Sequence, residues 1–516
     1  MKEDNPSETK DILLNLFGSS TSSHSDEEDS DSEVESDFSN AEAKTVLSAV
    51  VEMVAMGGSR GLISLREIPP GILLLAEIPI VTWNDNTFEE EENLRRTIEA
   101  CLMDELAYRT TKSLHPKMLK DCDTEEIERA ETLLGSPTLN EIAHKVGVSQ
   151  EEVLRVLLVL QHNGFGSGLY GVLTMLNHSC DPNCIKFPPS TGSSGASEVW
   201  TVRQIREGEE LTICYCEPLE MTNESIREYL ELHHRFHCKC SVCVSAAIYE
   251  NSLPEQEQHF LRKSHSLGRN LQEIVVGMEQ ELLFLRNLDD SEVGFESLAR
   301  LMKATTDLSA VESDENTGDN MSVSPRVLAR LCKLAANTAV TFLEYANKSS
   351  EQRRRPKGVL LKMATFSFLR NSLLLMSHQL KYLDAHHPDM ASSHIDIAEA
   401  LDCALKFYQE DLVIALNAPV DENYSELKLL KILCRKEGIP EDTRSGEGQF
   451  RMVRVTKDII KKESNRFRAE GAIIKNLYSR SHFPSRYVTL RHNLPGICHW
   501  GDFVPVGHSK FFSVNK

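Results

Sequence analysis

Two stretches of this chain crowd chemically capable side chains among apolar neighbours. The first is Leu176-Asn177-His178-Ser179-Cys180-Asp181-Pro182-Asn183-Cys184, followed about thirty residues later by Glu209-Glu210-Leu211-Thr212-Ile213-Cys214-Tyr215. The second, Cys238-Lys239-Cys240-Ser241-Val242-Cys243, puts three thiols within six residues. A tetrahedral zinc site needs one more ligand, which Cys180 or Cys184 can supply. The competing reading, ordinary buried cysteine, fits poorly with the polar context of His237 and Lys239, so structural zinc is preferred. Cys184, Cys214 and Cys216, and the scattered Cys101, Cys122, Cys332, Cys403, Cys434 and Cys498, read instead as small packing residues.

The elements that must position these groups show in the patterning. The chain has 516 residues, 41% of them apolar, and a net charge of −22. That length and composition support several modules with a sizeable core and exclude overall disorder. The N-terminal residues read as neither a secretory signal nor a transit peptide, which points to the cytosol or nucleus. The longest apolar runs, Gly71–Val81 and Val153–Leu160, are too short for a membrane-crossing helix, for which about 20 residues are needed, so no membrane association is expected. Thirteen cysteines in a reducing compartment suit metal ligation better than disulfides. The acidic balance argues against wholesale coating of a nucleic-acid backbone.

Residues 1–44 hold thirteen acids against three lysines and read as a disordered, Ser-rich acidic tail. Apolar runs broken by Pro69-Pro70-Gly71 over 45–83 predict strand, tight turn, strand. Leu139, Ile142, Val146, Val153 and Leu157 give 84–160 a helical period. Residues 161–220 return to strands, with a loop at Phe187–Ser197. A cysteine-bearing segment covers 221–250, and 251–480 reads as helical, with segments at Pro325–Asn347, Val359–Leu383, His394–Leu416 and Glu426–Lys436. Asp307–Ser324 reads as a flexible insertion within it. Paired helices of similar length would fit a tetratricopeptide-like array, and 481–516 remain unassigned.

Taken together, the Asn177–Cys184 motif, Gly208-Glu209-Glu210-Leu211-Thr212-Ile213-Cys214-Tyr215 and Phe236-His237-Cys238-x-Cys240-x-x-Cys243 arrive in the order and spacing of a known family. The chain resembles SET-domain protein lysine methyltransferases, in their SET-and-MYND branch. Gly58-Ser59-Arg60-Gly61-Leu62 and Ile68-Pro69-Pro70-Gly71 resemble the family's opening hairpin, and Gly168-Leu169-Tyr170 also matches. The resemblance covers 57–83 and 161–243. One departure is that residues 84–160 contain only Cys101 and Cys122, too few thiols for the two-zinc MYND finger that the branch carries there. Another is His234, where related enzymes often have an aromatic residue.

The resemblance implies an α+β fold: a pseudoknotted, β-rich SET domain with a helical insertion, a zinc-bound post-SET segment and an all-helical C-terminal domain. It implies S-adenosyl-L-methionine bound beside the threaded crossing of the Asn177-His178 segment with the one ending in Tyr215. Tyr215 would be catalytic. Arg60, Gly61, Leu62, Asn163, Asn177, His178, Tyr215 and Phe236 would contact the cofactor, and Cys180, Cys238, Cys240 and Cys243 would hold one structural zinc ion. Methyl transfer from a sulfonium to an amine is an in-line displacement, so it asks mainly for alignment and exclusion of water. A narrow apolar channel would favour the neutral lysine amine.

The expected partner is a protein presenting a lysine, with a histone tail the branch's usual substrate, and the chain is expected to act as a monomer. Arg353-Arg354-Arg355-Pro356-Lys357 is a candidate nuclear signal. Two rival readings are a catalytically silent SET scaffold and a DNA-binding helix-turn-helix over Thr138–Val153, where Ala143, Gly147 and Val153 have the right spacing. Glu151 and Glu152 would face phosphates in that second reading, and only Lys145 and Arg155 lie near to neutralise them, so no direct sequence-specific DNA binding is expected.

Overall fold

The computed structural model describes residues 45–48, 51–56, 59–82, 90–165, 167–187, 196–216, 223–287, 292–311, 324–348, 358–407, 412–417, 450–455, 457–478, 487–490 and 503–505. The acidic tail, residues 312–323 of the expected insertion, the Arg353–Lys357 basic run and the expected helix Glu426–Lys436 lie outside them. The chain divides into two compact units. One takes residues 1–215, 229–238 and 479–516, and the other takes 216–228 and 239–478.

The first unit contains two sheets built mainly from β1 (Thr45–Ser48), β2 (Val51–Met56), β3 (Ser59–Ser64), β4 (Leu73–Glu77), β5 (Asn177–His178), β6 (Cys184–Phe187), β7 (Ser197–Thr201) and β8 (Glu210–Ile213). Leu73–Ala76 is apolar on both faces, as a central strand must be. All five residues of β4 are buried, and β4 lies antiparallel between β1 and β7. The turn feeding it is tied by Thr201, whose hydroxyl donates to Pro69 O at 2.8 Å and accepts from Ile72 N at 2.9 Å. The second sheet has the order β2-β3-β8-β5. Its last pair, β5 with β8, is parallel, in register Asn177↔Thr212 and His178↔Ile213.

Among the described residues, four strands lie later in the chain. Of these, β9 (Leu412–Asn417) and β10 (Phe450–Val455) belong to the second unit. The segment that the sequence left unassigned supplies β11 (Tyr487–Leu490), which pairs antiparallel with β1, and β12 (Phe503–Pro505), which pairs with β11.

Between β4 and β5 lie α1 (Glu90–Met103), α2 (Glu105–Ser113), α3 (Thr124–Leu134), α4 (Ser136–Val146) and α5 (Gln150–Asn163). Three of their starts carry side-chain caps: Asp104 accepts from Ala107 N, Asp123 from Glu126 N, and Ser149 from Glu152 N. Leu94, Ile98, Leu139, Ile142, Val153 and Leu157 form one apolar core, as the helical period requires.

The pair α4–α5 has helix-turn-helix geometry, with Gly147 left-handed at φ 79° between the two helices. However, Val153–Leu160 are buried without a break, so over that length α5 is packed as a core helix. Arg155 is spent on Glu152 and on Thr111 O, and Lys145 on Glu99.

Helix α6 (Asn223–His234) follows β8. The second unit then continues with α7 (Ser241–Ser252), α8 (Glu255–Arg286), α9 (Glu292–Val311), α10 (Pro325–Lys348), α11 (Gly358–Gln379), α12 (Pro388–Phe407) and α13 (Lys457–Leu477). Val275, Leu298, Phe342, Phe368, Leu401 and Phe467 share its core. The helix expected over His394–Leu416 stops at Phe407, and Leu412–Asn417 is strand, paired with Phe450–Val455. A short apolar run with β-branched Val413 and Ile414 suits either state, and the partner strand decides. No described helix is long and apolar enough to cross a membrane.

One close approach fixes the entry to the site. Gly168, at φ 150°, bridges to Phe165, and a Cβ there would drive into Val81 O and stand 2.7 Å from Pro79 Cβ. At Gly208, also at positive φ, a Cβ would meet open space. Gly208→Ala should therefore cost only the left-handed backbone penalty, about 1 kcal/mol, and Gly168→Ala at least about 2 kcal/mol through overpacking as well. Urea denaturation of both variants tests the ranking, and equal midpoints would contradict it.

Candidate functional site: a strand crossing beside a thiol cluster

The site is assembled where β5 meets β8. Because the two strands run parallel, the residues following each leave the sheet on the same side. Tyr215 N donates to His178 Nδ1 at 3.1 Å, and the Tyr215 hydroxyl donates to Leu176 O at 2.5 Å. The expected meeting of the Asn177-His178 segment with the one ending in Tyr215 is thus present.

Asn177 Nδ2 donates to Arg60 O at 2.9 Å and to Glu210 Oε1 at 2.7 Å. Both its amide hydrogens are committed, so what Asn177 offers a ligand is its carbonyl oxygen, an acceptor. Neighbouring Asn183 is 1% exposed. Its Nδ2 donates to Glu209 Oε1 at 3.0 Å and Glu210 O at 2.8 Å, and its Oδ1 accepts from Thr212 N at 2.9 Å. Asn183 therefore locks the turn after the motif onto β8.

An aromatic wall closes one side. The Tyr215 ring lies 5.4 Å from His178, 5.1 Å from His234 and 6.2 Å from Phe236, edge-on to the last. His234 thus takes the place that the family pattern gives an aromatic residue, and it packs as one. Arg235, left-handed at φ 55°, reverses the chain after α6 and so turns Phe236 toward His178, 6.1 Å away. The Arg235 guanidinium stands 3.7 Å from Glu126 of α3.

Burial and a few charged neighbours set the protonation of the slot's residues. Burial, then the negative charge of Glu210, pushes the Tyr215 phenol well above its ordinary pKa, with Arg60 opposing. Burial lowers the pKa of Arg60, offset in part by Tyr215. Burial disfavours charge on His178, but its hydrogen bonds to the Cys214 and Cys238 thiols outweigh this and raise its pKa to about 9.

The sulfurs of Cys180, Cys238, Cys240 and Cys243 lie within 4.8 Å of one another. Cys180 Sγ and Cys238 Sγ are 3.9 Å apart, far longer than a disulfide and close to the separation of about 3.8 Å that tetrahedral Zn–S bonds of about 2.3 Å impose. The donor set fits zinc. Cys184, buried in β6 with its thiol pKa raised by burial, stands apart as packing, so of Cys180 and Cys184 it is Cys180 whose sulfur joins the other three.

The other predicted residues are placed as follows. Arg60 gives its carbonyl to Asn177, while its side chain donates to Ser113 O at 3.0 Å, at the end of α2. Gly61 pairs with Val54 in β3, and Leu62, 1% exposed, pairs with Leu211. Both lie along the strand beside β8. Asn163 ends α5, with Nδ2 donating to His115 O at 2.6 Å and Val159 O at 2.9 Å. Among the described contacts none joins Asn163 to Asn177, His178 or Tyr215.

Sequence reading missed Glu77. Its buried carboxylate accepts from Gly171 N at 2.9 Å, Val172 N at 3.1 Å and Leu173 N at 2.7 Å, which holds the turn that leads into Asn177. A single acid within the apolar run Ile72–Ile80 was the available signal.

Residues 59–216 match the family model described as the SET domain. This stretch is a SET domain, and its homologues include methyltransferases of the SET-and-MYND branch. Histone-lysine N-methyltransferase SMYD3 of Mus musculus is 39% identical over 105 residues, 20% of this chain and 23% of that protein. Protein-lysine N-trimethyltransferase SMYD5 of Mus musculus is 33% identical over 95 residues, 18% of this chain and 22% of that protein. The putative SET domain-containing protein L678 of Acanthamoeba polyphaga mimivirus is 28% identical over 200 residues, 36% of this chain and 74% of that protein. The chain thus spans less than a quarter of the length of the two SET-and-MYND relatives.

Removing the Glu77 carboxylate would orphan three buried N–H groups, each worth about 1 kcal/mol or more. Glu77→Ala should lower stability by about 3 kcal/mol, read from chemical denaturation by tryptophan fluorescence. An unchanged midpoint would show that the turn is held by other contacts.

Proposed function

We propose that this chain transfers a methyl group from S-adenosylmethionine to the ε-amine of a protein lysine. The observation that carries the reading is the parallel β5–β8 pairing, which brings the Asn177 acceptor, the His178 ring and the Tyr215 hydroxyl together.

The bound cofactor would supply an electrophilic methyl carbon. Asn177, Arg60, Gly61, Leu62, Asn163, His178, Tyr215 and Phe236 would hold it. Asn177, left with an acceptor, suits the ammonium of an amino-acid moiety, and the rings of His178 and Phe236 suit a purine face.

The chain's own part in the chemistry is positioning. Tyr215 stays protonated at neutral pH because its pKa is raised, so it works as an oriented hydroxyl and not as a base. Its hydrogen is given to Leu176 O, which leaves its oxygen to accept from an amine or a polarised C–H. Low water access around Tyr215 favours the neutral form of an incoming lysine, whose nitrogen pair forms the new bond to carbon. With the cofactor bound, the amine would take the methyl carbon, the pair of the broken C–S bond would stay with sulfur, and the amine's extra proton would go to solvent.

The narrower reading has several parts. The substrate is a histone tail, the protein acts as a monomer in nucleus or cytoplasm, and it does not read DNA sequence. Cys180, Cys238, Cys240 and Cys243 hold one structural zinc that stiffens the wall bearing Phe236, with 221–250 forming a post-SET segment. Helices α1–α5 stand where the branch carries its MYND finger, and the C-terminal helices form a tetratricopeptide-like domain. The names of SMYD3 and SMYD5 support the lysine and histone assignments by similarity alone.

Four measurements test this. Tyr215→Phe should cut methyl transfer from labelled cofactor to a histone mixture by about a hundredfold, with cofactor affinity changed far less. Because the Tyr215 pKa lies above its ordinary value, the wild-type rate should show no alkaline loss from this phenol below about pH 10. Equal labelling by both proteins would remove Tyr215 from the mechanism, and failure of wild type to bind S-adenosylmethionine in calorimetry would favour a silent scaffold. Cys240→Ser should release one zinc per chain and weaken cofactor binding. Unchanged metal content would sink the thiolate assignment.

A further inference from the structure

Away from the slot, the helical insertion gathers a second set of metal-ligating side chains. His115 lies in the loop after α2, Cys122 follows the short turn Leu119–Asp121, and His162 is in the last turn of α5. One ligand atom from each of the three lies within 4.8 Å of the other two, and the imidazole rings of His115 and His162 meet edge to face at 5.1 Å. Glu126, the N3 residue of α3, places Oε1 at 3.4 Å from His162 Nε2. The His162 and Glu126 side chains are only 12% and 10% exposed, whereas His115 is exposed and gives an ion a way in.

We propose that His115, Cys122, His162 and Glu126 form a zinc site separate from the four-cysteine cluster. Two imidazoles, a thiolate and a carboxylate are a borderline-soft set that suits Zn²⁺ over Mg²⁺ or Ca²⁺. With Zn²⁺ the two anionic ligands balance the ion's own charge, and Glu126 Oε1 would turn to the ion from the Arg235 guanidinium, which stands 3.7 Å from it. Tetrahedral bonds of about 2.0–2.3 Å need ligand atoms about 3.4–3.8 Å apart, a contraction that rotation of the exposed His115 can supply.

The surroundings already orient the ligands. Asn163 Nδ2 holds His115 O at 2.6 Å, and Glu126 Oε2 accepts from Asp123 N at 3.1 Å. Cys122, read from the sequence as a packing residue, is thereby reassigned. The ion would staple the loop after α2 to the end of α5, beside Asn163.

The test is zinc content by mass spectrometry on the full-length protein purified with added Zn²⁺, together with alkylation of Cys122 followed by peptide mapping. The wild type should carry two zinc ions per chain. His115→Ala and Cys122→Ser should each lose one, and Cys240→Ser should lose the other while keeping this one. His115 is exposed, so its variant should keep the fold, checked by circular dichroism. In the wild type, Zn²⁺ should slow alkylation of Cys122, and His115→Ala should abolish that protection. One zinc per chain in the wild type that survives His115→Ala, or Cys122 alkylated equally fast with and without Zn²⁺, would overturn the site and reduce the cluster to a polar contact between His162 and Glu126.

Discussion

The site depends on one short parallel pairing, β5 against β8. It is only two residues long, Asn177↔Thr212 and His178↔Ile213, and by itself such a ladder is weak. Side chains reinforce it from both ends. Asn177 ties β5 to Arg60 O and to Glu210, Asn183 ties the following turn to Glu209, Glu210 and Thr212, and Tyr215 returns two hydrogen bonds to Leu176 and His178. The chemistry-bearing groups are themselves the fasteners of the crossing, so structure and site cannot be separated there.

A second layer sets where the crossing sits. Glu77, on the central strand, captures three successive N–H groups ahead of the motif, and Gly168 lets that segment lie against Val81. From the other direction, the left-handed Arg235 aims Phe236 at the slot while its guanidinium reaches Glu126. Helical insertion, sheet and aromatic wall are therefore linked through a few polar contacts that sit outside any recognisable motif.

Much of this was legible in the chain, for reasons that differ by residue. Asn177, His178, Tyr215 and the thiols were visible because dense polar clusters among apolar neighbours are costly unless they have work to do. The strand-turn-strand before Glu77 and the insertion helices followed from their periods. Asn163 was placed by motif, but its amide is spent on His115 and Val159 carbonyls, a tertiary detail that local spacing does not carry. Glu77 and Asn183 were overlooked because their partners lie 94 and 26 or more residues away. The strand at Leu412–Asn417 was misread as helix because six apolar-rich residues fit either period until their partner is known. The helix-turn-helix pattern was real as local geometry, yet the unbroken burial of Val153–Leu160 is a property of the packed insertion and not of the motif.

The order in which the pieces occur along the chain has a consequence for how the protein comes into being. Domains tend to fold as units during synthesis, at about 5–20 residues per second. Here the opening hairpin with Arg60 leaves the ribosome first, Asn177 follows, then Glu210 and Tyr215, and only later Phe236 and Cys238. In the nascent chain β3 waits for β8 across about 150 residues, the aromatic wall closes only when Phe236 follows, and β1 gains β11 last of all. A translation pause between His178 and Glu210 would therefore lengthen the interval in which β3 and β5 both lack the strand that joins them.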